Sequence, residues 1–446
     1  MPDVMLFCGF YGLILLVPLG LYVRRQARRE KRTREAVASG DFLKDDPRGQ
    51  HPHIDVTHCI GCQSCTAACP EGDVLGMVGG KAAVIKPHRC IGHGLCADAC
   101  PVGAITMITA SPAVSANLPY LTPELETTVP NLYIAGELGG LALIKNAVMQ
   151  GRDCIDRVVT RLAAEPGEGG RDAYDVIIVG AGPAGISASL RAIERNLHYL
   201  TIERESLGGA VTKYPRQKLV MTSPVEFPLG GSLKKMQVSK ESLISFWKSM
   251  CDRDDFRAHL NESVEGIRKR ADGIFSVTTG SGDYRARAVI LAMGRGGTPK
   301  KLGVKGEELP KVMYRLIEAD HYFNKNVLVV GGGDSAVEAA VGLARQKGNN
   351  VTLSYRKNSF TRIKERNTQY LENATRSGKL QVVFDSIPVE FTQSSVLLNV
   401  NGVVRELPND FAWIFAGGVA PNDFLKKIGV EFGPRDLTLA TVQASL

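Results

Sequence analysis

The residues most able to do chemistry in this 446-residue chain are concentrated in a short cysteine-rich segment. Seven of its ten cysteines lie between positions 59 and 100, in two runs that each end in Cys-Pro. The first run has the spacing C-x2-C-x2-C-x3-C-P, which gives three thiolates to one iron–sulfur cluster and the fourth to another. The second run has a histidine where its second cysteine would stand. The runs therefore predict iron–sulfur clusters, with these candidate ligands: Cys59, Cys62, Cys65, Cys69, Cys90, His93, Cys96 and Cys100.

Two other uses of cysteine fit this pattern less well. A disulfide framework is typical of short secreted chains, whereas this chain is long and has only three further cysteines. A structural zinc ion needs four ligands and would explain one C-x2-C pair. It would not explain a spacing that ends in Cys-Pro twice. Iron–sulfur clusters therefore remain the prediction.

The segment with both runs, residues 51–110, resembles a bacterial two-cluster ferredoxin, which is a small α+β domain. In that family each run supplies three ligands to its own cluster and one to its neighbour. The resemblance assigns to the first cluster Cys59, Cys62, Cys65 and Cys100, and to the second Cys69, Cys90 and Cys96. Two outcomes stay open at His93. Its neutral imidazole could bind iron and make that cluster easier to reduce, or it could stay unbound and leave a [3Fe-4S] cluster or a solvent ligand.

A glycine-rich motif further along the chain indicates a dinucleotide-binding fold. Asp175 and the four apolar residues after it predict a strand that leads into Gly180-x-Gly182-x-x-Gly185 and a helical stretch. The first glycine permits a sharp turn, the second lets the backbone approach a pyrophosphate, and the third lets helix and strand pack closely. A second predicted strand ends at Glu203, where a carboxylate is expected to hold the adenosine ribose.

A second motif, Gly-Gly-Gly-Asp-Ser-Ala, follows another predicted strand and indicates a second dinucleotide site. The strand after it ends in two cations and has no acid at the ribose position. Cations there suit the 2′-phosphate of NADP, so NADP is favoured over NAD, with plain surface solvation of the cations as the alternative. The candidate binding residues are Gly331, Gly333, Ala336, Arg356 and Lys357.

Residues 174–433 resemble the thioredoxin-reductase group of two-dinucleotide flavoproteins. The resemblance rests on the two glycine motifs in this order and on strand-like stretches at 288–294 and 411–417, which flank the second motif. In that group FAD binds to the first fold and NADPH to the second. The resemblance further implies that the backbone at Gly208 and Gly209 approaches the flavin ring.

The segment that completes the flavin site near the C-terminus in that group occurs here ahead of the first motif. Residues 129–140, followed by a helical stretch, resemble it, with Gly136 and with Glu137 where the group usually has aspartate. We therefore predict a circularly permuted flavin domain. Because permutation requires the old termini to lie close together, Leu446 is expected near residues 119–127. An unrelated linker helix is the alternative.

Charge and hydropathy single out the N-terminus. Residues 24–35 hold seven Lys or Arg against two Glu, which is +5 of the net charge of +8, so the rest is nearly balanced and nucleic-acid binding is not predicted. Residues 4–23 carry no charge and as a helix would span about 30 Å, the thickness of a membrane's hydrocarbon layer. They predict a single-pass anchor with the catalytic part in the cytoplasm. A cleaved signal peptide fits less well, because the basic residues follow the apolar stretch.

Together these features predict an α/β protein with two Rossmann-like domains, a small ferredoxin domain and one N-terminal transmembrane helix. The predicted order is a transmembrane anchor at 1–23, a basic juxtamembrane linker at 24–50, the ferredoxin domain at 51–110, the displaced flavin-site segment at 118–163, a linker at 164–172, the FAD-binding domain at 173–300, the NAD(P)-binding domain at 301–415 and a return to the FAD domain at 416–446.

The predicted enzyme exchanges electrons between NAD(P)H and one-electron carriers through FAD and two iron–sulfur clusters. No catalytic acid, base or nucleophile is assigned, since hydride transfer needs only positioning. Thiol exchange is disfavoured because no cysteine follows Cys251 and because Ala184 stands where flavoproteins similar to bacillithiol-disulfide reductases have cysteine. The expected partners are membrane lipid, a redox protein or quinone, and a second copy of the chain. Two alternatives stay open: a reductase of a small organic substrate, quinone or disulfide, and a non-enzymatic membrane redox sensor.

Overall fold

The computed structural model describes residues 2–38, 51–72, 74–108, 118–140, 143–164, 172–216, 218–222, 224–235, 237–295, 299–360 and 363–432, with side chains described from 16 to 35 in the first helix. The chain divides into two compact units, which among the described residues are 2–108 and 118–432. Each unit has its own hydrophobic core.

The first unit begins with one long helix, α1 (Pro2–Ala38). The basic stretch predicted as a linker continues this helix as far as residue 38, because it is rich in strong helix formers and has Glu30–Arg34 and Lys31–Glu35 pairs one turn apart. Within the described part of the chain, no helix is both long enough and apolar enough to cross a membrane. The predicted anchor and the single-pass membrane localisation are therefore wrong.

The C-terminal half of α1 packs against the domain with the two cysteine runs. Thr33 of α1 is buried against Gly76, where an added Cβ would lie 2.7 Å from the threonine Oγ1. Glu30 accepts a hydrogen bond of 3.0 Å from the backbone N–H of Gly79. This half of the helix therefore belongs to the ferredoxin-like unit.

That domain is built from two short hairpin-like pairs and two short helices. Strand β1 (His51–Ile54) pairs antiparallel with β4 (Ile105–Ile108), and β2 (Leu75–Val78) pairs antiparallel with β3 (Lys81–Val84). The helices α2 (Ser64–Ala68) and α3 (Leu95–Asp98) each follow one cysteine-rich loop. The core consists largely of cysteines and small apolar side chains, so the domain folds around its candidate ligands.

The second unit contains a mixed sheet with the strand order β12-β7-β6-β15-β14-β13, and β5 pairs with the end of β15. Its parallel strands are β5 (Leu132–Ile134), β6 (Tyr174–Val179), β7 (Tyr199–Glu203), β12 (Ala258–Leu260) and β15 (Gly282–Leu291), and the antiparallel ones are β13 (Val264–Lys269) and β14 (Phe275–Thr279). Two helices, α4 (Ile144–Ala164) and α5 (Pro183–Glu194), cross in close contact over this sheet. The backbone approach is possible because Gly151 has no side chain, where a Cβ would lie 2.1 Å from the Ala184 carbonyl oxygen.

A second, five-stranded parallel sheet of order β16-β23-β17-β18-β19 forms the other Rossmann-like domain of this unit. Its strands are β16 (Val312–Met313), β17 (Asn326–Val330), β18 (Asn350–Ser354), β19 (Leu380–Val383) and β23 (Phe411–Ile414), and its helices are α7 (Asp334–Ala344) and α8 (Glu365–Arg376). Two small antiparallel pairs are formed by β8 (Leu219–Met221) with β11 (Gln237–Ser239) and by β9 (Val225–Glu226) with β10 (Ser232–Leu233). A three-stranded antiparallel sheet consists of β20 (Ser386–Phe391), β21 (Ser395–Val400) and β22 (Val403–Pro408). The remaining helices are α6 (Lys240–Cys251) and α9 (Asn422–Lys427).

Candidate cofactor sites

A cavity of about 300 Å³ lies at the carboxyl edge of the first Rossmann-like sheet. Its lining includes the residues that directly follow four parallel strands: Ala135 after β5, Gly180 after β6, Arg204 after β7 and Ala292 after β15. Parallel strands bring their carboxyl ends to one edge, and this edge is where open α/β sheets bind ligands. The fold therefore places this cavity where the sequence predicts a dinucleotide.

The first glycine motif forms one wall of the cavity, and its three glycines meet different surroundings. Gly180 has a φ of +106°, and an added Cβ would lie 2.6 Å from the Ala292 carbonyl oxygen. At Gly185 the Cβ would lie 1.8 Å from the Gly180 carbonyl oxygen, which is where helix α5 meets strand β6. A Cβ at Gly182 would meet no atom within 4 Å. The geometry thus fits a turn at Gly180, close packing of helix and strand at Gly185, and an open position for a ligand at Gly182.

The chain from strand β5 to helix α4 forms the neighbouring wall. Strand β5 pairs in parallel with β15, and the N–H of Gly136 donates a 2.7 Å hydrogen bond to Gln150 Oε1 of α4. A Cβ at Gly136 would lie 3.4 Å from Ala184, inside the first glycine motif. Glu137 lines the cavity. Desolvation by the surrounding protein raises the pKa of Glu137, and the charge of Arg295 partly opposes this.

Of the predicted ribose-binding residue Glu203 and the two glycines Gly208 and Gly209, only Glu203 and Gly209 line the cavity. Glu203 is buried, and its carboxylate accepts hydrogen bonds from the N–H groups of Ala181 (2.7 Å) and Glu205 (2.8 Å). Gly209 lines the cavity, and its added Cβ would lie 3.1 Å from the Cα of Gly182. Gly208 is not among the lining residues, and its space is filled by Trp247 and Thr212.

Several lining residues were not identified from the sequence. The loop before β13 contributes Glu262 and Ser263, and β13 contributes its first residue, Val264. The chain after β15 contributes Met293 and Gly294, and Pro421 precedes α9. No motif marks them, because they reach the cavity only through the strand order of the sheet. Burial opposes ionisation of Glu262, but hydrogen bonds from Thr279 and Tyr284 outweigh it and lower the pKa of this carboxyl.

The second glycine motif lies between strand β17 and helix α7. A Cβ at Gly331 would lie 2.7 Å from the Phe415 carbonyl oxygen and 2.9 Å from the buried Ala336, so helix and strand are in close contact. Gly333 is the N-cap residue of α7, where an added Cβ would meet open space. Arg356 and Lys357 are exposed after β18, and in the described part of the chain neither forms a salt bridge. Both cations are therefore available to a phosphate.

In the ferredoxin-like unit, one cavity is lined by the four cysteines assigned to the first cluster: Cys59, Cys62, Cys65 and Cys100. Backbone N–H groups point at two of these sulfurs, from Ala82 to Cys59 Sγ (3.4 Å) and from Ala104 to Cys100 Sγ (3.2 Å). Such hydrogen bonds raise the reduction potential of a cluster. On α1, Gln26 Nε2 donates a 3.1 Å hydrogen bond to Gln63 Oε1, inside the same cysteine loop.

The ligands assigned to the second cluster are also brought together. Burial raises the pKa of the Cys96 thiol to about 12, and the nearby Cys90 and Cys69 add to this. Burial likewise raises the pKa of Cys90, with a further contribution from Cys69. His93 is buried, and its Nδ1 accepts a 3.2 Å hydrogen bond from the N–H of Leu95. The structure therefore groups the three thiols of Cys69, Cys90 and Cys96, and His93 lies three residues before Cys96 in the same loop.

The spacing of the thiols argues against single zinc ions. With Zn–S bonds of 2.3 Å, a tetrahedral site would hold its sulfurs about 3.8 Å apart. Across the described residues, no three of these cysteine and histidine ligand atoms lie within 4.8 Å of one another. The described thiols therefore do not form the compact set that a single zinc ion needs.

Comparisons with known proteins agree with both halves of the chain. Residues 51–101 match the model of the 4Fe-4S dicluster domain. Residues 177–441, more than half of the chain, match the pyridine nucleotide-disulphide oxidoreductase model. The chain belongs to the pyridine nucleotide-disulphide oxidoreductase family. Within this family it is an enzyme, an iron–sulfur-containing FAD oxidoreductase of the thioredoxin, bacilliredoxin and ferredoxin–NADP reductase type.

Individual relatives each match somewhat more than half of the chain. The chain is 33% identical to the thioredoxin reductase of Treponema pallidum over 258 residues, which are 55% of this chain and 77% of the relative. It is 30% identical to a ferredoxin–NADP reductase of Streptococcus thermophilus over 282 residues, 60% of this chain and 80% of the relative. The solved bacillithiol disulfide reductase Bdr of Bacillus cereus is similar with a TM-score of 0.53 and 28% identity, covering 57% of this chain and 81% of that one.

Proposed function

We propose that this enzyme transfers electrons between NADPH and one-electron carriers through FAD and two iron–sulfur clusters. The observation that carries the proposal is the cavity at the first sheet edge, where candidate flavin residues from two separate chain segments meet: Gly136, Glu137, Gly180, Gly182, Glu203 and Gly209. The cavity lined by four cysteines in the other unit supports the second half of the proposal.

The residues around the flavin cavity would bind and orient FAD. The N-terminus of α5 and the open position at Gly182 suit a pyrophosphate, and the buried Glu203 suits a ribose. Arg356 and Lys357 would hold the 2′-phosphate of NADP. NADPH supplies electrons in pairs as hydride and iron–sulfur clusters accept them singly, so a flavin between them can exchange in both modes. No side chain has to donate or accept a proton for this transfer.

A circularly permuted flavin domain is part of the proposal. Strand β5 and helix α4 precede the first glycine motif in the sequence, yet they complete its sheet and pack on its helix. Near the other end of the described chain, Phe432 forms a β-bridge with Pro119, and Tyr120 N–H donates to the Glu431 carbonyl oxygen at 2.8 Å. These contacts support adjacent old termini. The predicted position of Leu446 lies outside the described residues, and the predicted domain boundaries remain part of the proposal.

Thiol–disulfide chemistry at the flavin is the less favoured alternative. Burial raises the pKa of Cys154 far above its ordinary value, and raises that of Cys251 to about 12. Reactive cysteines instead have lowered pKa values and access to solvent. Cys154 is fully buried, which also excludes a substrate disulfide. The proposed terminal partner is therefore a redox protein or quinone that exchanges single electrons with a cluster.

The test is anaerobic reduction of the holoenzyme by NADPH, followed by low-temperature paramagnetic resonance. We expect the flavin absorption to bleach and signals of reduced iron–sulfur clusters to appear. Cys62→Ser should remove the signal of the first cluster, while Cys251→Ser, a cysteine outside both cluster sets, should leave it intact. Bleaching of the flavin with oxidised clusters throughout would overturn the proposal.

A further inference from the structure

A continuous series of polar contacts leads from the second glycine motif towards the flavin cavity. Asp334 is the first residue of α7 and directly follows Gly333. The buried Asn367 of α8 donates from Nδ2 to Asp334 Oδ1 (2.7 Å) and to Glu338 Oε1 (3.2 Å). Glu338 lies one turn further along α7, and its Oε2 is 3.1 Å from Lys218 Nζ. The carboxylate of Glu338 thus joins the nucleotide helix to the segment next to the flavin cavity.

Lys218 continues this series to a wall of the cavity. Its Nζ lies 4.8 Å from the centroid of the Tyr214 ring, within the range of a cation–π interaction. Tyr214 lines the flavin cavity. Burial raises the pKa of the Tyr214 hydroxyl, and the charges of Glu137 and Glu338 raise it further, so this ring lies in the field of both dinucleotide sites.

The ion pair between Lys218 and Glu338 is partly shielded from solvent, which strengthens the attraction between the two charges. The two side chains are 21% and 33% exposed, so solvent screens their attraction less than that of an ordinary surface pair. A neighbouring pair, Arg216 with Glu318 at 3.2 Å, is more open, since the Arg216 side chain is 64% exposed. Arg216 therefore provides a matched control from the same segment.

We propose that Lys218 is a positioning residue that couples nucleotide binding at the second glycine motif to Tyr214 at the flavin cavity. The inference rests on the proposed function, because it requires both dinucleotides to bind. A phosphate at the N-terminus of α7 brings negative charge beside Asp334, and Asn367 and Glu338 connect this carboxylate to Lys218 and hence to the tyrosine ring. Such coupling is reciprocal, so the state of the flavin site alters nucleotide affinity by the same factor.

The test measures two properties of the oxidised holoenzyme when NADP⁺ is added. Calorimetry gives the NADP⁺ affinity, and the flavin absorption spectrum gives the response at the flavin site. Lys218→Met keeps most of the apolar stem and removes the charge. We expect it to weaken NADP⁺ binding about fivefold and to reduce the spectral change at saturating NADP⁺ by a similar factor. Lys218→Arg, which keeps the charge and can stack on the ring, should restore both, and Arg216→Met should leave both unchanged.

The outcomes separate this inference from the proposed function. Purified protein without FAD, or without any NADP⁺ binding, would contradict the proposed function itself. Full FAD content and NADP⁺ binding, with a spectral change in Lys218→Met equal to that of the unmodified enzyme, would overturn the coupling alone. Glu338→Gln is the second variant: it should reproduce the loss seen in Lys218→Met, and a normal response in it would overturn the coupling as well.

Discussion

Alanine at Gly185 should damage the flavin domain through a contact that the structure gives directly. An alanine Cβ there would lie 1.8 Å from the Gly180 carbonyl oxygen and 2.8 Å from the carbonyl carbon. Ordinary contacts begin at 3.4 Å, so helix α5 and the turn after β6 would have to separate by about 1.6 Å. Both contact atoms belong to the backbone, so no side-chain rotation can relieve the clash.

The expected cost follows from this geometry. Overpacking of a well-packed site costs about 1–3 kcal/mol, and a contact between backbone atoms belongs at the upper end of that range. Moving α5 also moves its N-terminal N–H groups, which we expect to face the FAD pyrophosphate. Gly185→Ala should therefore lower both the free energy of unfolding of the apoprotein and the affinity for FAD.

Gly182→Ala is the matched control in the same motif. Its φ of −78° suits alanine, and the added Cβ meets no atom within 4 Å. The lost N-cap preference and the gained chain stiffness nearly cancel, so apoprotein stability should change by no more than about 0.5 kcal/mol. FAD affinity should nevertheless fall about tenfold or more, because the methyl group enters the space expected for the pyrophosphate.

Urea unfolding of the apoproteins and titration with FAD, followed by flavin fluorescence, distinguish these effects. The reasoning requires Gly185→Ala to lose stability and affinity, and Gly182→Ala to lose affinity alone. Equal destabilisation by the two alanines would refute it, because only the Cβ at position 185 meets backbone atoms. Unchanged FAD affinity in Gly182→Ala would contradict the expectation that the FAD pyrophosphate binds at this loop.

Three further predictions concern other parts of the molecule. Replacing Arg356 and Lys357 together by alanine should raise the KM for NADPH about tenfold or more and leave the KM for NADH unchanged. Steady-state kinetics would measure both constants, and an equal increase in both would contradict a 2′-phosphate site. His93→Cys should remove any three-iron signal in paramagnetic resonance or lower the potential of the second cluster, and no change would place His93 away from iron. Asp156 is partly buried, but hydrogen bonds from Arg191 more than offset this desolvation and lower the pKa of the Asp156 carboxyl. The ionised carboxylate therefore stabilises the fold above about pH 4, and this stabilisation is lost as the pH falls further. Urea unfolding should therefore show that Asp156→Asn costs stability at pH 7 and that this difference shrinks below pH 4; a constant difference would argue against the ion pair.

The parts of the fold that sequence predicted well are those in which backbone chemistry requires a residue type at a fixed spacing. Gly180 and Gly185 are needed where a turn and a helix come within contact of neighbouring backbone. Three cysteines of the first run, Cys59, Cys62 and Cys65, line one cavity with Cys100, although 35 positions separate Cys65 from Cys100 in the sequence. Such motifs retain their meaning without knowledge of the rest of the fold.

Features that depend on tertiary neighbours were not predictable in the same way. Glu262 and Pro421 reach the flavin cavity because strand order brings distant loops to one sheet edge, and nothing local marks them. At the N-terminus, hydropathy alone predicted an anchor followed by a linker. The basic half instead continues as helix and packs through Thr33 against Gly76, a contact between residues 43 positions apart.

His93 shows why a ligand position can be recognised while its ligation state cannot. The two cysteine loops have similar backbone conformations. Gly61 and Gln63 in the first loop have φ values of +73° and +65°, and Gly92 and Gly94 in the second have φ values of +74° and +77°. The side chain at 93 therefore starts from the same backbone as Cys62. A neutral imidazole has one lone pair, and here Nδ1 uses it to accept the N–H of Leu95, which leaves the proton on Nε2. Ligation through Nδ1 would exchange that hydrogen bond, worth about 1 kcal/mol, for an iron–nitrogen bond and would leave the proton on Nε2. The loop backbone does not settle this competition, so the spectroscopic comparison with His93→Cys decides it.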